Sequence, residues 1–551
     1  MWLRPIAERA ISGMTQRGRC DMKRNMITAS SATAGVCALA MLLAGCGSGQ
    51  GGDGSATASA GVPETVNYAI QQDPGKLNPL TNATGDGVQL ATLAYEGLLV
   101  MQADQQPKGN IAKDWKATAT EATFTLKDDV VCSDGTPLKA SDVKATFDYV
   151  INEAPDSQYN GVYVPEGVEV SADDSAKTVT FKVSTPQSFL AEEVGQLPIV
   201  CPAGLKDPSA MDAKTFGTGP YKLDSATEGQ KYTYVRNDDY KSGLPDGTKI
   251  TDLPKTIVAS VVTDQSTQVN MLSSGELNLA KLSGTNQDRV DTTTYKDVNA
   301  GSMPMTAFFN QNKDRATGTL EVRKAIAEAI DRTKVGTAIT SGKGEVMKTI
   351  MPAGSSVCAG FDSSSAIAKT DAKDAKKLLD EAGWKAGSDG VRTKDGKKLT
   401  IKLLYNSTSG AAVAAGVELV QKELKEVGID AQLAPSDQYT KVIFSGGDWD
   451  VVIAGITANT PAEWFGILSG DVVPNGGNWT YNEDQDYIQL ANTAAAQAGE
   501  ASCPAWQKAE DQLMKNVTLL PIAQSWDKYY AKGFTVSTDG NNFLPTTFKA
   551  A

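Results

Sequence analysis

Residues 399–433 read LTIKLLYNSTSGAAVAAGVELVQKELKEVGIDAQL, and this stretch decides the fold class of the chain. The apolar run at 399–404 predicts a strand, and the longer apolar pattern at 413–427 predicts a helix. A second strand is predicted at 429–433. A strand, a helix and a second strand in this order are typical of a parallel sheet covered by helices.

The same alternation continues on both sides of this stretch. A helix is predicted at 320–332, where Val322, Ile326 and Ile330 share one face. Further elements are predicted as a helix at 371–382 ended by Gly383, a strand at 450–456, a helix at 510–517 and a strand at 519–526. The chain from about Asn310 onward is therefore expected to form a parallel α/β lobe.

The first half of the chain is richer in strands. Alternating or apolar runs predict strands at 65–70, 122–126 and 178–183. A helix is predicted at 142–151, with Ser141 as its N-cap. Because roughly 500 residues exceed one ordinary hydrophobic core, we expect at least two lobes.

The N-terminal region has the layout of an export signal. Met22-Lys23-Arg24 precedes an apolar run at 27–43, and Leu42-Leu43-Ala44-Gly45-Cys46 ends that run. This ending resembles the lipobox of bacterial lipoproteins, in which Cys46 would carry the lipid (palmitate among its acyl chains). We therefore expect a signal at 1–45, with Met22 as an alternative start, and a lipidated Cys46 followed by a flexible linker through residue 63. The alternative is an uncleaved membrane-spanning helix.

Composition excludes several classes of function. The formal net charge is −13, and removal of the basic signal leaves about −17 on the mature chain. Such an acidic protein is a poor partner for nucleic acid or anionic lipid. The chain contains no histidine, which excludes Ser-His-Asp and Cys-His catalysis and removes the commonest zinc ligand.

Four cysteines remain after the signal and Cys46: Cys132, Cys201, Cys358 and Cys503. An even number in an exported chain indicates two disulfides, for which three pairings are possible. We favour Cys132–Cys201 with Cys358–Cys503, because the two pairs lie in different halves of the chain. The alternative is four free, buried thiols.

A series of short motifs resembles the extracellular solute-binding proteins, family 5, of ABC transporters, which carry oligopeptides, dipeptides, nickel complexes and some sugars. The matching stretches, in chain order, are 73–79 (DPGKLNP), 95–98 (YEGL), 134–143 (DGTPLKASDV), 217–221 (GTGPY), 236–240 (RNDDY), 274–276 (SGE), 322–332 (VRKAIAEAIDR) and 378–384 (LLDEAGW). The resemblance implies an α/β, two-lobed, periplasmic-binding-protein-like fold of type II, in the large peptide-binding class. It also implies two crossover strands and a ligand cleft between lobe I (64–311 plus 525–551) and lobe II (312–524).

The same resemblance implies a monomeric receptor of an ABC importer that captures an oligopeptide or similar polar solute by hinge closure. Its partners would be the permease and ATPase subunits, and it would be lipid-anchored to the outer face of the cytoplasmic membrane, in the cell envelope. No catalytic residue, cofactor, metal or nucleic-acid partner is expected. The alternatives are an exported hydrolase and a glycan-binding surface lipoprotein. The loop 336–343 resembles a phosphate loop, but it has five residues between its glycines, and Gly344 stands where Ser or Thr belongs.

The most informative candidate site is the segment 449–459 (WDVVIAGITAN). In peptide-binding relatives this region carries Gly-Trp-x-x-Asp, and the Asp pairs with the peptide ammonium. Here Gly455 is kept, Ile456 replaces Trp, Thr457 follows, and Asn459 replaces Asp. The change removes a negative charge from the expected ammonium pocket, which favours a ligand without a free amine. If a carboxylate still binds an amine, Glu463 is the first alternative.

Six further residues are cleft candidates by position. They follow the first Pro-rich loop (Asn82 and Thr84), lie beyond the segment 449–459 (Trp464 and Trp479), or lie on the return crossover (Gln524 and Trp526). Tryptophan rings in a cleft could stack on a sugar or a peptide face, and the alternative is that each of these tryptophans belongs to the hydrophobic core.

Overall fold

The structure is a computed structural model that describes residues 61–301, 304–351, 357–358, 360–458 and 460–551. The predicted export signal, the lipidation site Cys46 and most of the linker lie outside the described residues. Among the residues that are described, none of the helices has the length and apolar character needed to cross a bilayer.

Lobe I is built on a seven-stranded mixed sheet. Its central strand, Thr65–Ile70, has the bounds predicted from the sequence and pairs in parallel with both neighbours. The strands in spatial order are Tyr295–Asn299, Lys528–Lys532, Leu279–Leu282, Thr65–Ile70, Thr256–Val261, Lys231–Arg236 and Tyr221–Thr227.

Lobe I also contains a four-stranded antiparallel sheet and, among the described residues, five α-helices and two strand pairs (Leu99–Met101 with Pro107–Gly109, and Phe534–Thr535 with Lys549–Ala550). The sheet consists of Ala112–Ala117, Glu121–Leu126, Thr178–Lys182 and Glu169–Asp173. The helices are Gly85–Ala94, Ala140–Asn152, Leu190–Gly195, Pro202–Lys206 and Gln265–Ser274.

Ser141 is not the N-cap that the sequence predicted. The helix Ala140–Asn152 begins two residues earlier than predicted and follows Lys139, whose backbone N–H donates to the Asp142 carboxylate at 2.8 Å. The Ser141 hydroxyl instead donates to Asp174, at 2.9 Å. Asp142 therefore supplies the side-chain acceptor at this helix start.

Lobe II is built on a six-stranded sheet covered by helices. The strands in spatial order are Gly344–Val346, Leu519–Ser525, Met305–Phe309, Val451–Ala454, Thr400–Asn406 and Asp430–Ser436. The helices are Leu320–Ala329, Arg332–Ile339, Ala372–Glu381, Ala411–Glu426, Tyr439–Phe444, Pro461–Leu468, Gln485–Ala495 and Cys503–Lys515.

The sequence predicted a parallel sheet in this lobe, and only three of its six strands pair in parallel with one another. Thr400–Asn406 pairs in parallel with Asp430–Ser436 and with Val451–Ala454. Met305–Phe309 and Leu519–Ser525 pair antiparallel with each other. The reason is the connection to lobe I, because one of these strands brings the chain into lobe II and the other takes it out.

Within the described residues the chain passes between the two large sheets twice. The first crossover joins Tyr295–Asn299 to Met305–Phe309, and the second joins Leu519–Ser525 to Lys528–Lys532. The two crossovers are hydrogen-bonded, from Ala300 N–H to the Asp527 carbonyl and from Asp527 N–H to the Gly301 carbonyl, both at 2.8 Å. The first sheet boundary thus precedes Met305, whereas the sequence prediction placed it after residue 311.

Two disulfides lie one in each lobe. Cys132 is bonded to Cys201, and Cys358 is bonded to Cys503, with 69 and 145 residues of sequence separation. These are the two pairings that the sequence favoured. The second disulfide ties the segment around Cys358 to the first residue of the helix Cys503–Lys515.

Candidate functional site

The paired crossovers are the mechanical link between the lobes, and charged side chains surround them. Burial raises the pKa of Asp527 to about 6, while the charge of Lys281 lowers it. The Lys281 ammonium donates to the Asn541 carbonyl at 3.1 Å, and burial lowers its pKa. A pair of short crossovers with few backbone bonds is the geometry in which two packed lobes rotate about a hinge.

Beyond this hinge, two short helices carry carboxylates toward the boundary between the lobes. Leu190–Gly195 of lobe I has Glu192 and Glu193 in its first turn. Pro461–Leu468 of lobe II is capped by Thr460, whose hydroxyl accepts from the Glu463 backbone N–H at 3.2 Å. Glu463 is therefore held at a helix N-terminus, where the backbone dipoles favour its negative charge.

The Glu193 carboxyl of lobe I is under the electrostatic influence of Glu463 of lobe II. Burial raises the pKa of Glu193 well above its usual range, and the charges of Glu463 and Glu192 raise it further. Within the described ranges, no hydrogen-bond donor or cation is paired with the Glu193 carboxyl. Like charges brought together in a recess repel one another unless a proton or a cation lies between them.

Tyr163 lies at the same boundary. Its ring is stacked on Tyr159, with centroids 5.3 Å apart and an interplanar angle of 12°. Burial raises the pKa of the Tyr163 hydroxyl, and the charges of Tyr159, Glu463 and Asp539 raise it further. We call Tyr163, Glu192, Glu193 and Glu463 the cleft cluster, since it draws on both lobes.

A second interlobe contact lies at Ser188 and Phe189. Phe189 is fully buried in the hydrophobic cluster that is otherwise formed almost entirely by lobe II. The Ser188 hydroxyl accepts from the Trp506 indole N–H and donates to the Ala494 carbonyl, both at 3.0 Å. On the hinge side, the Lys343 ammonium pairs with Asp288 across the lobes. The two lobes can move apart only if these contacts between them are broken.

The segment predicted as the main site leads directly into the cleft cluster. Gly455, Ile456 and Thr457 follow the buried strand Val451–Ala454, and all three have exposed surface. Asn459 lies outside the described residues. The backbone then enters the helix that carries Glu463, so the predicted segment and the observed carboxylates belong to one stretch of chain.

Asn82 and Thr84, which the sequence predicts to lie in the cleft, make hydrogen bonds within the Pro-rich loop and at the adjoining helix start. The Asn82 amide donates to the Pro74 and Lys76 carbonyls at 3.0 and 2.7 Å. Thr84 is the N-cap of the helix Gly85–Ala94, and its hydroxyl donates to the Asn82 side chain at 2.7 Å. These bonds close the Pro-rich loop and cap the helix.

Trp464 and Trp479 belong to the core of lobe II, which corrects their prediction as stacking surfaces. Trp464 is 1% exposed and Trp479 is 0% exposed. Their ring centroids lie 5.7 and 4.8 Å from that of Phe308. With both rings enclosed by protein, no face is left on which a solute could stack.

Gln524 and Trp526 lie at the second crossover, as their sequence position indicated. Gln524 is buried, and its amide is 3.4 Å from the Glu345 carboxylate. Trp526 is partly exposed, and its carbonyl accepts from the Gln287 amide at 2.7 Å. Both residues therefore take part in the hinge region.

Sequence reasoning missed Tyr163, Glu192, Glu193 and the Ser188–Phe189 contact. Adjacent glutamates on a short helix are usually solvated, so the pair carried no local signal. The sequence named Glu463 only as an alternative. Among the described residues, no group of three or more His, Cys, Asp or Glu side chains is arranged to hold a metal ion.

Comparison with known proteins identifies the family. The sequence profile of the bacterial extracellular solute-binding proteins, family 5, matches residues 106–470. Protein XP55 of Streptomyces lividans is 28% identical over 405 residues, which cover 71% of this chain and 68% of XP55. The probable D,D-dipeptide-binding periplasmic protein of Escherichia coli (strain K12) is 26% identical, over 77% of this chain and 81% of its own length.

A solved structure shares the fold over most of the chain. The substrate-binding protein from Microbacterium hydrocarbonoxydans, crystallised with 4-hydroxybenzoate hydrazide, superposes with a TM-score of 0.66 at 25% identity, covering 89% of this chain and 100% of its own. The Escherichia coli relative and the Microbacterium hydrocarbonoxydans protein are both named as binding proteins. The matched profile, the two lobes and the paired crossovers agree, and the chain belongs to the bacterial extracellular solute-binding proteins, family 5.

Proposed function

We propose that this protein is the receptor of an ABC importer, which captures a peptide or similar small solute between its lobes and delivers it to the permease and ATPase subunits. The observation that carries the proposal is the cleft cluster, in which the Glu193 carboxyl of lobe I interacts electrostatically with Glu463 of lobe II. A solute that contacts both lobes favours the closed state over the open one.

The cleft cluster favours a solute with a free amine. Glu193 and Glu463 repel each other when both are ionised, and an ammonium placed between them would convert this repulsion into two charge-assisted hydrogen bonds. The name of the D,D-dipeptide-binding relative agrees with a peptide ligand. Asn459 then does not need a charge, because Glu463 supplies it from the next helix.

The expected result with peptides is selectivity for the free amine. One half of a peptide digest is acetylated with a mass-labelled acetyl group and mixed with the untreated half. The mixture is incubated with the protein, and the retained peptides are identified by mass spectrometry. Wild type should retain free-amine members at least tenfold in excess of acetylated ones. Glu463→Gln should lose this preference, because the neutral amide can accept a hydrogen bond from the ammonium but supplies no opposite charge. Binding should also strengthen with rising pH, because the ammonium requires the ionised form of Glu193.

Glu153→Gln, on an exposed residue of lobe I, is the matched control and should behave as wild type. Retained peptides should be recovered uncleaved. Equal retention of acetylated and free peptides by wild type would instead support a ligand without an amine, as the Asn459 substitution suggests. Retention of no peptide at all would refute the peptide assignment.

We also propose that the mature protein is tethered to the outer face of the cytoplasmic membrane through lipid on Cys46. The support is the sequence around Cys46, since this residue lies outside the described structure. Two or more acyl chains hold a protein stably on a bilayer, whereas one chain does so only weakly.

Cys46→Ser should move the protein from the membrane fraction to the soluble fraction of cells, because the thiol that carries the lipid is gone. The measurement is fractionation with a carbonate wash, followed by immunoblotting. Ser48→Ala, two residues away, is the control and should stay with the membranes. Complete membrane retention of the Cys46 variant would contradict the anchor.

A further inference from the structure

Lobe I contains a cavity of about 230 Å³ that the cleft cluster does not explain. It lies between the end of the helix Gly85–Ala94, the segment that follows it, and the C-terminal segment of the chain. Its apolar lining includes Ala91, Leu99, Pro198 and Leu544. A dry apolar cavity of about 150 Å³ is large enough to bind benzene, so this cavity has room for a phenyl group and a short polar extension.

The two carboxylates in the cavity lining, Glu96 and Asp539, already accept hydrogen bonds. Glu96 accepts from the hydroxyls of Tyr240, Thr218 and Ser242, at 2.6, 2.8 and 3.0 Å. Asp539 accepts from the backbone N–H groups of Asn541 and Asn542, at 2.8 and 2.7 Å. Neither carboxylate therefore needs a cation from a ligand.

The two lysines in the cavity lining are Lys108 and Lys127, and both can donate further hydrogen bonds. The Lys127 ammonium donates to the Ser242 carbonyl at 2.6 Å and, at the long distance of 3.4 Å, to the Gly109 carbonyl. An ammonium has three N–H donors. Across the described residues, neither Lys127 nor Lys108 is within ion-pair distance of a carboxylate. The Lys127 ammonium is half-buried, and burial lowers its pKa, while the charges of Glu96 and Asp129 raise it from beyond ion-pair distance.

The cavity also reaches the boundary between the lobes. Tyr163, a member of the cleft cluster, and its stacking partner Tyr159 both line it. Met101 lines it too, and packs into the hydrophobic cluster of lobe II residues. The cavity therefore borders the boundary between the lobes.

From these contacts we infer that the lobe I cavity binds an apolar group ending in a carboxylate, and that Lys127 determines this specificity. The inference rests on the proposed function in one respect: in the intact solute, the carboxylate end would enter the cavity while the amine end pairs with Glu463. Lys127 would then exchange its weak contact with Gly109 for a charge-assisted hydrogen bond, which is shorter and stronger. Lys108 would add a second positive charge at the mouth of the cavity.

The test uses 3-phenylpropanoate and 3-phenylpropanamide, which have the apolar group but no amine. Calorimetric titration should show wild type binding the carboxylate at least tenfold tighter than the amide. Lys127→Met should abolish the preference, and Lys108→Met should reduce it. Lys116→Met changes an exposed lysine of the four-stranded sheet that does not line the cavity, and it should behave as wild type.

Ala91→Phe gives a second measurement, independent of charge. Its ring should fill the cavity and abolish binding of both probes, which keeps the test valid if Lys127→Met fails to fold. Equal binding of the two probes by wild type, an unchanged preference in Lys127→Met, or no binding at millimolar concentration would each overturn the inference. Because neither probe has an amine, these outcomes are separate from the peptide-retention test of the proposed function.

Discussion

Replacing Cys358 and Cys503 together by serine is expected to lower the free energy of unfolding of lobe II by about 5 kcal/mol. The disulfide closes a loop of 145 residues, and in the chain-entropy model a loop of this length contributes about that amount by restricting the unfolded chain. Cys358 is buried, and Cys503 begins the helix Cys503–Lys515, so loss of the bond also frees the segment around Cys358.

The matched variant replaces Cys132 and Cys201 by serine. Its loop of 69 residues predicts a loss of about 4 kcal/mol, confined to lobe I. Scanning calorimetry should show each double variant lowering a different transition if the lobes unfold separately. A double variant that melts at the wild-type temperature would show that its disulfide contributes no stability.

Replacing Glu510 by glutamine is expected to stabilise the protein at pH 8 by about 3 kcal/mol. Glu510 is 4% exposed, and its carboxyl accepts from the Ser363 and Thr349 hydroxyls at 2.8 and 2.9 Å, with no cation paired to it among the described residues. Burial raises the pKa of Glu510 to about 7. Each unit of pKa shift corresponds to about 1.4 kcal/mol between the two protonation states.

The direction of the pH dependence follows from this raised pKa. Between the ordinary carboxyl pKa and about 7, the folded protein holds a proton on Glu510 that the unfolded chain has lost. The free energy of unfolding of wild type should therefore fall as the pH rises through this range. Glu510→Gln should remove this dependence and lose its advantage near pH 4, where the carboxyl is protonated in both states.

Urea unfolding at several pH values between 4 and 8 measures this difference. Glu500→Gln, on an exposed residue of the adjoining turn, is the control and should leave the pH dependence unchanged. Parallel stability curves for wild type and Glu510→Gln would show that Glu510 does not titrate in this range.

Local features of this protein were readable from its sequence. Residues 65–70 and the strand–helix–strand pattern of 399–433 depend on side chains a few positions apart, and the observed elements have the same or nearly the same bounds. The family could be recognised from short motifs for the same reason, because each is a turn, a cap or a helix face. The favoured cysteine pairs needed only the assumption that each half of the chain folds by itself.

The candidate site depended on contacts that no local pattern encodes. Glu193 and Glu463 are far apart in the chain, and they meet because the hinge places helices from different lobes face to face. Trp464 and Trp479 resemble cleft aromatics in sequence but pack on Phe308 in the core. Strand and helix formation is decided within one or two turns of chain, and the sequence by itself determined those elements and the family. Which polar groups are paired, buried or left facing the cleft depends on the order of strands across two sheets, and only the tertiary structure decided it.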